Sequence, residues 1–156
     1  MKIMTAAEAV QLINSGESIY IQGSTSIPEV LSQALADRGA ELKDVTIYAA
    51  FAVGRCEAPY CKPEYKDSFN VKSLFVANNI RKWLAAGYGS TIPAFLGEIP
   101  GLFRDGTLPL DAVFLNVSPP NAEGYCSFGV SADLAVSATE CAKKVIVQVN
   151  KAMPFS

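Results

Sequence analysis

The 156-residue sequence contains no histidine. That absence removes the commonest general base near neutral pH, the Ser-His and Cys-His nucleophile systems, and imidazole ligation of a metal. The four cysteines, Cys56, Cys61, Cys126 and Cys141, form no CxxC pair, so neither a zinc site nor a redox dithiol is indicated. They read as free thiols of a reducing compartment, with Cys56 and Cys61 in one loop and able to meet. Charge is sparse: 18% of residues are charged and the net charge is -2, without the clustered Lys and Arg that phosphate neutralisation needs. Nucleic acid is therefore not an expected partner. No apolar run approaches a membrane span, and the stretch MKIMTAAEAV lacks the apolar core and small-residue cleavage site of a secretion signal. The expectation is a cytoplasmic protein without membrane attachment. Nucleotide fingerprints are missing too, since GSTSIPE has neither the spacing and lysine of a P-loop nor the GxGxxG pattern.

What is present is apolar. Half of the residues are hydrophobic, enough for one globular domain with a sizeable core. Thr5 and Glu8 have capping-box spacing ahead of Ala6, Ala9, Val10 and Ile13, which predicts a first helix stopped by Asn14, Ser15 and Gly16. Residues 18–22 read as a strand. The next helix has its cap at Ser26 with Glu29 at N3, or starts at Pro28, with Val30, Leu31, Ala34 and Leu35 as its buried stripe. Residues 45–50 and 73–76 read as strands on either side of a long irregular loop. Asn78 or Asn79 caps a helix that points Ile80, Trp83 and Leu84 at the core and ends at Gly87. The stretch STIPAFLGEIPGLFRDG gives a short extended piece and a helix interrupted at Pro100, with Glu98 in an N-terminal helical turn. DAVFLNV and KVIVQVN are continuous apolar runs, as expected of strands covered on both faces, and residues 131–142 between them are long enough for a crossover helix. The predicted fold is α/β, an open, mostly parallel sheet flanked by helices.

In such sheets ligands collect beyond the C-terminal ends of the strands. Three polar segments fall there: residues 23–26, 76–81 and 118–129. Gly23, Ser24 and Thr25 are candidates for an oxyanion or carboxylate contact; the same residues also suit a turn whose hydroxyls satisfy their own helix end. Asn78, Asn79 and Arg81 open a helix, where an arginine is unfavourable toward the helix dipole unless an anion or a carboxylate pairs with it. In NVSPPNAEGYCSFGVS, the pair beginning at Pro119 stiffens a strand exit, and Gly124, Tyr125 and Gly129 combine turn geometry with an aromatic surface. This loop can line the channel of a long thin ligand, or form a hairpin-like excursion with Tyr125, Cys126 and Phe128 packed on the sheet. Glu98, Glu123 and Ser127 lack an adjacent base, so no catalytic residue and no metal site is assigned within the chain.

The same stretches carry a family resemblance. MTAAEAVQLINSGESIYIQGSTSIPEVLSQALADR, followed by IPAFLGEIPGLF and SPPNAEGYCSFGVS in that order and spacing, resembles the N-terminal part of the acetyl-CoA hydrolase/transferase family, the class I CoA-transferases that include 4-hydroxybutyrate and acetate CoA-transferases. The resemblance covers nearly the whole chain. It implies a CoA-transferase-like N-terminal domain over residues 1–156, and a catalytic glutamate in a second, C-terminal half outside this chain. It further implies CoA exchange between an acyl-CoA and a small carboxylate such as acetate or 4-hydroxybutyrate through a glutamyl-CoA thioester, with hydrolysis or plain ligand binding as alternatives. Coenzyme A and acyl-CoA would be substrates, with no tightly bound cofactor, and the complete protein would be a homodimer or higher homo-oligomer. By the same resemblance Gly23, Ser24 and Thr25 face the acyl end of the cleft, Asn78, Asn79 and Arg81 match an Asn-x-Arg segment, and Pro119, Gly124, Tyr125 and Gly129 match the family's proline and glycine-aromatic loop. Two departures are visible. Relatives commonly carry histidines ahead of the SLFV segment where this chain has DSFNVK, and Phe155 stands where many have arginine.

Overall fold

The computed structural model describes residues 2–52 and 58–156. The elements run α1 (Ala6–Val10), β1 (Ser18–Ile21), α2 (Glu29–Asp37), β2 (Val45–Ala49), a 3-10 turn (Pro63–Tyr65), β3 (Phe69–Ser73), α3 (Asn78–Ala85), β4 (Ser90–Thr91), α4 (Ile99–Arg104), β5 (Ala112–Val117), α5 (Ala135–Cys141) and β6 (Lys144–Val149). The strands form one sheet in the order β4-β3-β2-β1-β5-β6, and every pairing in it is parallel. The chain order reverses between β1 and β5, so the exits of these neighbouring strands diverge and leave a crevice at their C-terminal ends.

The continuous apolar runs of the central strands follow from burial on both faces. Ile19, Ile21, Val45, Ile47, Ala112 and Phe114 point into one core with α1, α2 and Ile80 of α3. Their neighbours Tyr20, Tyr48, Val113, Leu115 and Val117 point the other way, onto α4 and α5. Each fully buried aliphatic side chain in these layers contributes about 1.5–3 kcal/mol of burial free energy. Tyr20 packs at a tilt of 59° on Phe103, ring centroids 5.6 Å apart, which ties the central strand to α4.

Local signals survive where they are short in range. Thr5 and Glu8 form the complete capping box, although the helix stops at Val10, before Asn14, because Arg38 of the second helix's end donates to the carbonyls of Val10 and Ile13 and satisfies that terminus early. Several expectations are corrected. Ser26 does not cap α2; the N-cap is Pro28, and Val30 faces solvent while Leu31, Ser32, Leu35 and Ala36 are buried. Strand β3 ends where residues 73–76 were expected to begin one, because pairing with β2 selects the register that buries Phe69 and Val71. Neither Asn78 nor Asn79 caps α3, whose N-cap is Ala77. Pro100 lies in the first turn of α4 and initiates the helix there, since an N-terminal proline lacks only an N–H that would be unpaired anyway. Finally, β6 is an edge strand with Val145 and Val149 exposed, so its apolar run does not signify cover on both faces.

Candidate functional site

The three polar segments all lie at the C-terminal edge of the sheet. Gly23 leaves β1 against the exit of β2, so close that a Cβ there would lie 2.6 Å from the Phe51 carbonyl oxygen and 2.9 Å from Ala50 Cβ. The glycine is required by this approach. Ser24 then takes a left-handed conformation, φ 59°, and donates its N–H to the Phe51 oxygen at 2.6 Å. A non-glycine residue in that region costs about 1–2 kcal/mol, and such strain at a strand exit is a feature of binding loops. Thr25 is exposed beside it.

The α2 N-terminus is not an anion cradle. Gln148 of β6 places its Oε1 where it accepts from the N–H groups of Val30 at 3.0 Å and Leu31 at 3.4 Å. The amides that would hold a carboxylate are already occupied. What the loop offers a ligand is therefore the hydroxyls of Ser24 and Thr25. Ser26 is fully buried, and its Oγ has no hydrogen-bond partner among the described residues.

Asn78 and Arg81 are exposed on the first turn of α3, and Asn79 is half-buried. Asn79 lines the same small cavity as Gly23, Ile27 and Ser32, so the β1 exit and the head of α3 are brought together. Trp83 is partly buried against the core, as expected, with Lys82 Nζ 4.6 Å above its ring.

The loop of residues 118–129 closes on itself. Ser118 N–H donates to Ser127 O at 3.0 Å and Ser127 N–H to Ser118 Oγ at 2.9 Å, while Asn121 Oδ1 accepts from Glu123 and Tyr125 N–H groups at 3.0 and 2.9 Å. Gly124 and Gly129 take positive φ, 86° and 64°. Cys126 and Phe128 pack toward the second core, but Tyr125 at the tip is 66% exposed, so the hairpin-like form holds without the packed tyrosine. Pro119 lies at the base, two residues beyond the end of β5. The base is held by residues 153–156: the Met153 side chain fills the space a Gly129 Cβ would need, and Ser156 N–H donates to Ser127 Oγ at 3.3 Å.

Over residues 1–156 the sequence matches the family described as acetyl-CoA hydrolase/transferase N-terminal domain. The chain belongs to that family. It is 35% identical over 153 residues to the 4-hydroxybutyrate coenzyme A transferase of Clostridium kluyveri, covering 98% of this chain and 35% of that protein. A crystal structure of a 4-hydroxybutyrate CoA-transferase from Porphyromonas gingivalis superposes with a TM-score of 0.78 at 33% identity, covering 97% of this chain and 34% of that one. RipA from Yersinia pestis gives 0.85 at 26% identity, covering 99% and 38%. The chain thus spans about a third of the length of these relatives. Their fold over the shared part is the parallel sheet flanked by helices described above.

Within this family fold, two glutamines and an asparagine escaped the sequence reading. Gln22, at the end of β1, donates from Nε2 to Ser131 O at 2.7 Å and accepts at Oε1 from Asn116 N–H at 2.8 Å, which pins the β1 and β5 exits together where they diverge. A glutamine ending an apolar strand just before Gly23 was the available signal. Gln148 carried none, because its partner helix lies 118 residues away. The carboxylates stay apart: Glu98 Oε2 accepts from Phe95 N–H at 3.0 Å and Glu123 is exposed at the loop tip. Cys61 is buried, which pushes its thiol up to about 11 and makes it a poor nucleophile; Cys126 and Cys141 are also free, and Cys56 lies outside the described residues. Burial, then the Asp133 carboxylate, push the Tyr20 phenol upward and keep it neutral, against an opposing backbone bond from Gly23. Among the described residues no group of three metal-ligating side chains occurs, and no helix is long and apolar enough to cross a membrane.

Proposed function

We propose that this chain forms one wall of a cleft in which CoA passes between an acyl-CoA and a small carboxylate, the attacking glutamate belonging to a C-terminal half outside the chain. The observation that carries the reading is the family match over the entire chain, together with relatives named as CoA-transferases. The chemistry suits a wall without histidine. A glutamate oxygen attacks the thioester carbon and the CoA thiolate leaves, giving a mixed anhydride. The thiolate attacks the glutamyl carbonyl, releasing the first carboxylate and leaving glutamyl-CoA. An incoming carboxylate then retraces both steps. Carboxylates and thiolates exchange at each stage without a proton being moved, so no general base is needed. The requirement on the wall is to bind, orient and stabilise the oxyanion that develops at each attacked carbonyl.

Gly23, Ser24 and Thr25 border the acyl end, with the two hydroxyls as donors. Asn78, Asn79 and Arg81 present amides and a guanidinium on the same edge; Arg81 is exposed and has no ion pair among the described residues, so it is open to an anionic group. Pro119, Gly124, Tyr125 and Gly129 shape the opposite rim. The test is CoA transfer from acetyl-CoA to acetate, butyrate or 4-hydroxybutyrate by the full-length protein. Transfer that falls at least about tenfold in a Ser24→Ala, Thr25→Ala variant with unchanged melting is the expected result, since two charge-assisted hydrogen bonds are removed. Wild-type kinetics with all acceptors would demote the loop to a structural turn. CoA release that needs no acceptor would replace transfer by hydrolysis. The 156-residue chain alone is expected to transfer nothing, and robust transfer by it would overturn the placement of the glutamate.

A further inference from the structure

Four buried side-chain oxygens among the described residues have no hydrogen-bond partner: Ser26 Oγ, Ser32 Oγ, Asn79 Oδ1 and Asn116 Oδ1. Two of these residues, Ser32 and Asn79, line one cavity with Gly23, Ile27 and Tyr60. Ser32 is 1% exposed and lies on α2, whereas Asn79 lies on the first turn of α3. The cavity measures about 10 Å³, the lower limit of what holds a single water. Buried polar atoms in folded proteins are nearly always paired, directly or through ordered water.

We propose that this cavity is the binding site of one resident water that bridges Ser32 Oγ to the side-chain amide of Asn79 and so joins α2 to the head of α3. The chemistry singles out water. A serine hydroxyl donates and accepts, an amide presents either its oxygen or its NH₂, and water alone among small ligands satisfies every combination. A carboxylate or phosphate is too large for the cavity. An ammonium ion would bring a buried charge to a site with no carboxylate among the described residues of its wall. A hard metal cation would find too few oxygens. The bridge fixes the Asn79 rotamer and holds the turn carrying Arg81 against the Gly23 exit.

A crystal structure of the full-length protein at a resolution that orders waters tests this directly. The expected result is one well-ordered peak within about 2.7–3.2 Å of both side chains. A dry cavity, a direct Ser32–Asn79 bond, or an Asn79 side chain turned to solvent overturns it. In solution, Ser32→Ala and Asn79→Ala each lose the same bridge, so the double variant should shift the unfolding midpoint by clearly less than the sum of the single shifts. Additive shifts would count against a shared water. Should either variant fail to fold, the crystal structure of the unaltered protein still decides. None of these readouts involves CoA transfer, so the water site and the proposed function fail separately.

Discussion

The two ends of the parallel sheet are built to opposite rules. At the N-terminal end the partly buried carboxylates are paired: Lys144 Nζ reaches both Glu17 oxygens at 2.7 Å and the Leu12 carbonyl at 2.8 Å, and Lys143 meets Asp111 at 2.8 Å. Asp111 also accepts the Ser18 N–H at 2.9 Å, which fastens the start of β1 to the start of β5. At the C-terminal end lie Gly23 pressed on the next strand, the left-handed Ser24, and all four unpartnered buried oxygens of the described residues. Phe75, Phe95 and Tyr125 are 59%, 80% and 66% exposed on segments that leave strands at this end. Asp44 is also left-handed at the paired end, but it sits in an exposed turn, a setting aspartate tolerates well. One end is satisfied and the other is held in tension, a contrast expected when one end holds structure and the other meets a ligand.

The largest effect that would sharpen this contrast is Gly23→Ala. The new methyl meets backbone that cannot swing away, so unfolding stability should fall by about 2–3 kcal/mol. Gly16→Ala at the paired end has φ +80° but open space around it, and should cost only about 1 kcal/mol, the conformational term alone. Equal losses in urea denaturation would erase the distinction between the two ends.

Next comes Lys144→Met, which removes the partner of a Glu17 carboxyl that is only 19% exposed. We expect a loss of about 1 kcal/mol at neutral pH, because the pair is partly screened by solvent. The pH dependence carries a sign. Burial alone pushes Glu17 up, but the bonds from Lys144 and Asn14 outweigh it and hold the carboxyl below its ordinary range. The Lys143 ammonium, then the Ser18 N–H, do the same for Asp111. Groups depressed in the folded state add stability above their unfolded values and lose it as the pH falls through the folded ones. Melting temperature should therefore drop in acid below the ordinary carboxylate range, and less steeply in Lys144→Met. A steeper acid limb in the variant would contradict the pairing.

The smallest effect is Ser24→Gly. Relief of the left-handed strain and the added freedom of the unfolded glycine oppose one another, so stability should change by less than about 1 kcal/mol. Transfer by the full-length protein should nonetheless fall, because the hydroxyl is gone. Full activity with unchanged stability would make Ser24 a turn residue and nothing more.

Legibility in the sequence follows range of action. The capping box of Thr5 and Glu8 was readable because both partners lie within one turn. β1, β2 and β5 were readable because burial on both faces leaves only one polar residue in each, Ser18, Thr46 and Asn116, too few to obscure the run. β3 was not, since Asn70 and Lys72 alternate with Phe69 and Val71 and the neighbouring SLFV is more apolar; pairing with β2 decided between them. At the candidate site the residues of the three loops were nameable from motif and resemblance; of the two starts the sequence allowed for α2, Pro28 is the N-cap and Ser26 is not, and what meets the first amides, Gln148, sits on a strand with no local link to them. The apolar β6 run implied two covered faces, yet Val145 and Val149 on it are exposed.

By itself, then, the sequence determined an α/β fold, the strand exits that carry polar loops, and the absence of histidine chemistry, because composition and periodicity are properties of neighbours along the chain. Only the tertiary structure decided that the α2 amides are occupied, that Ser24 is strained, and that Ser32 and Asn79 share one cavity. Those facts depend on which strand exits stand side by side, and parallel pairing brings together residues with no relation in sequence.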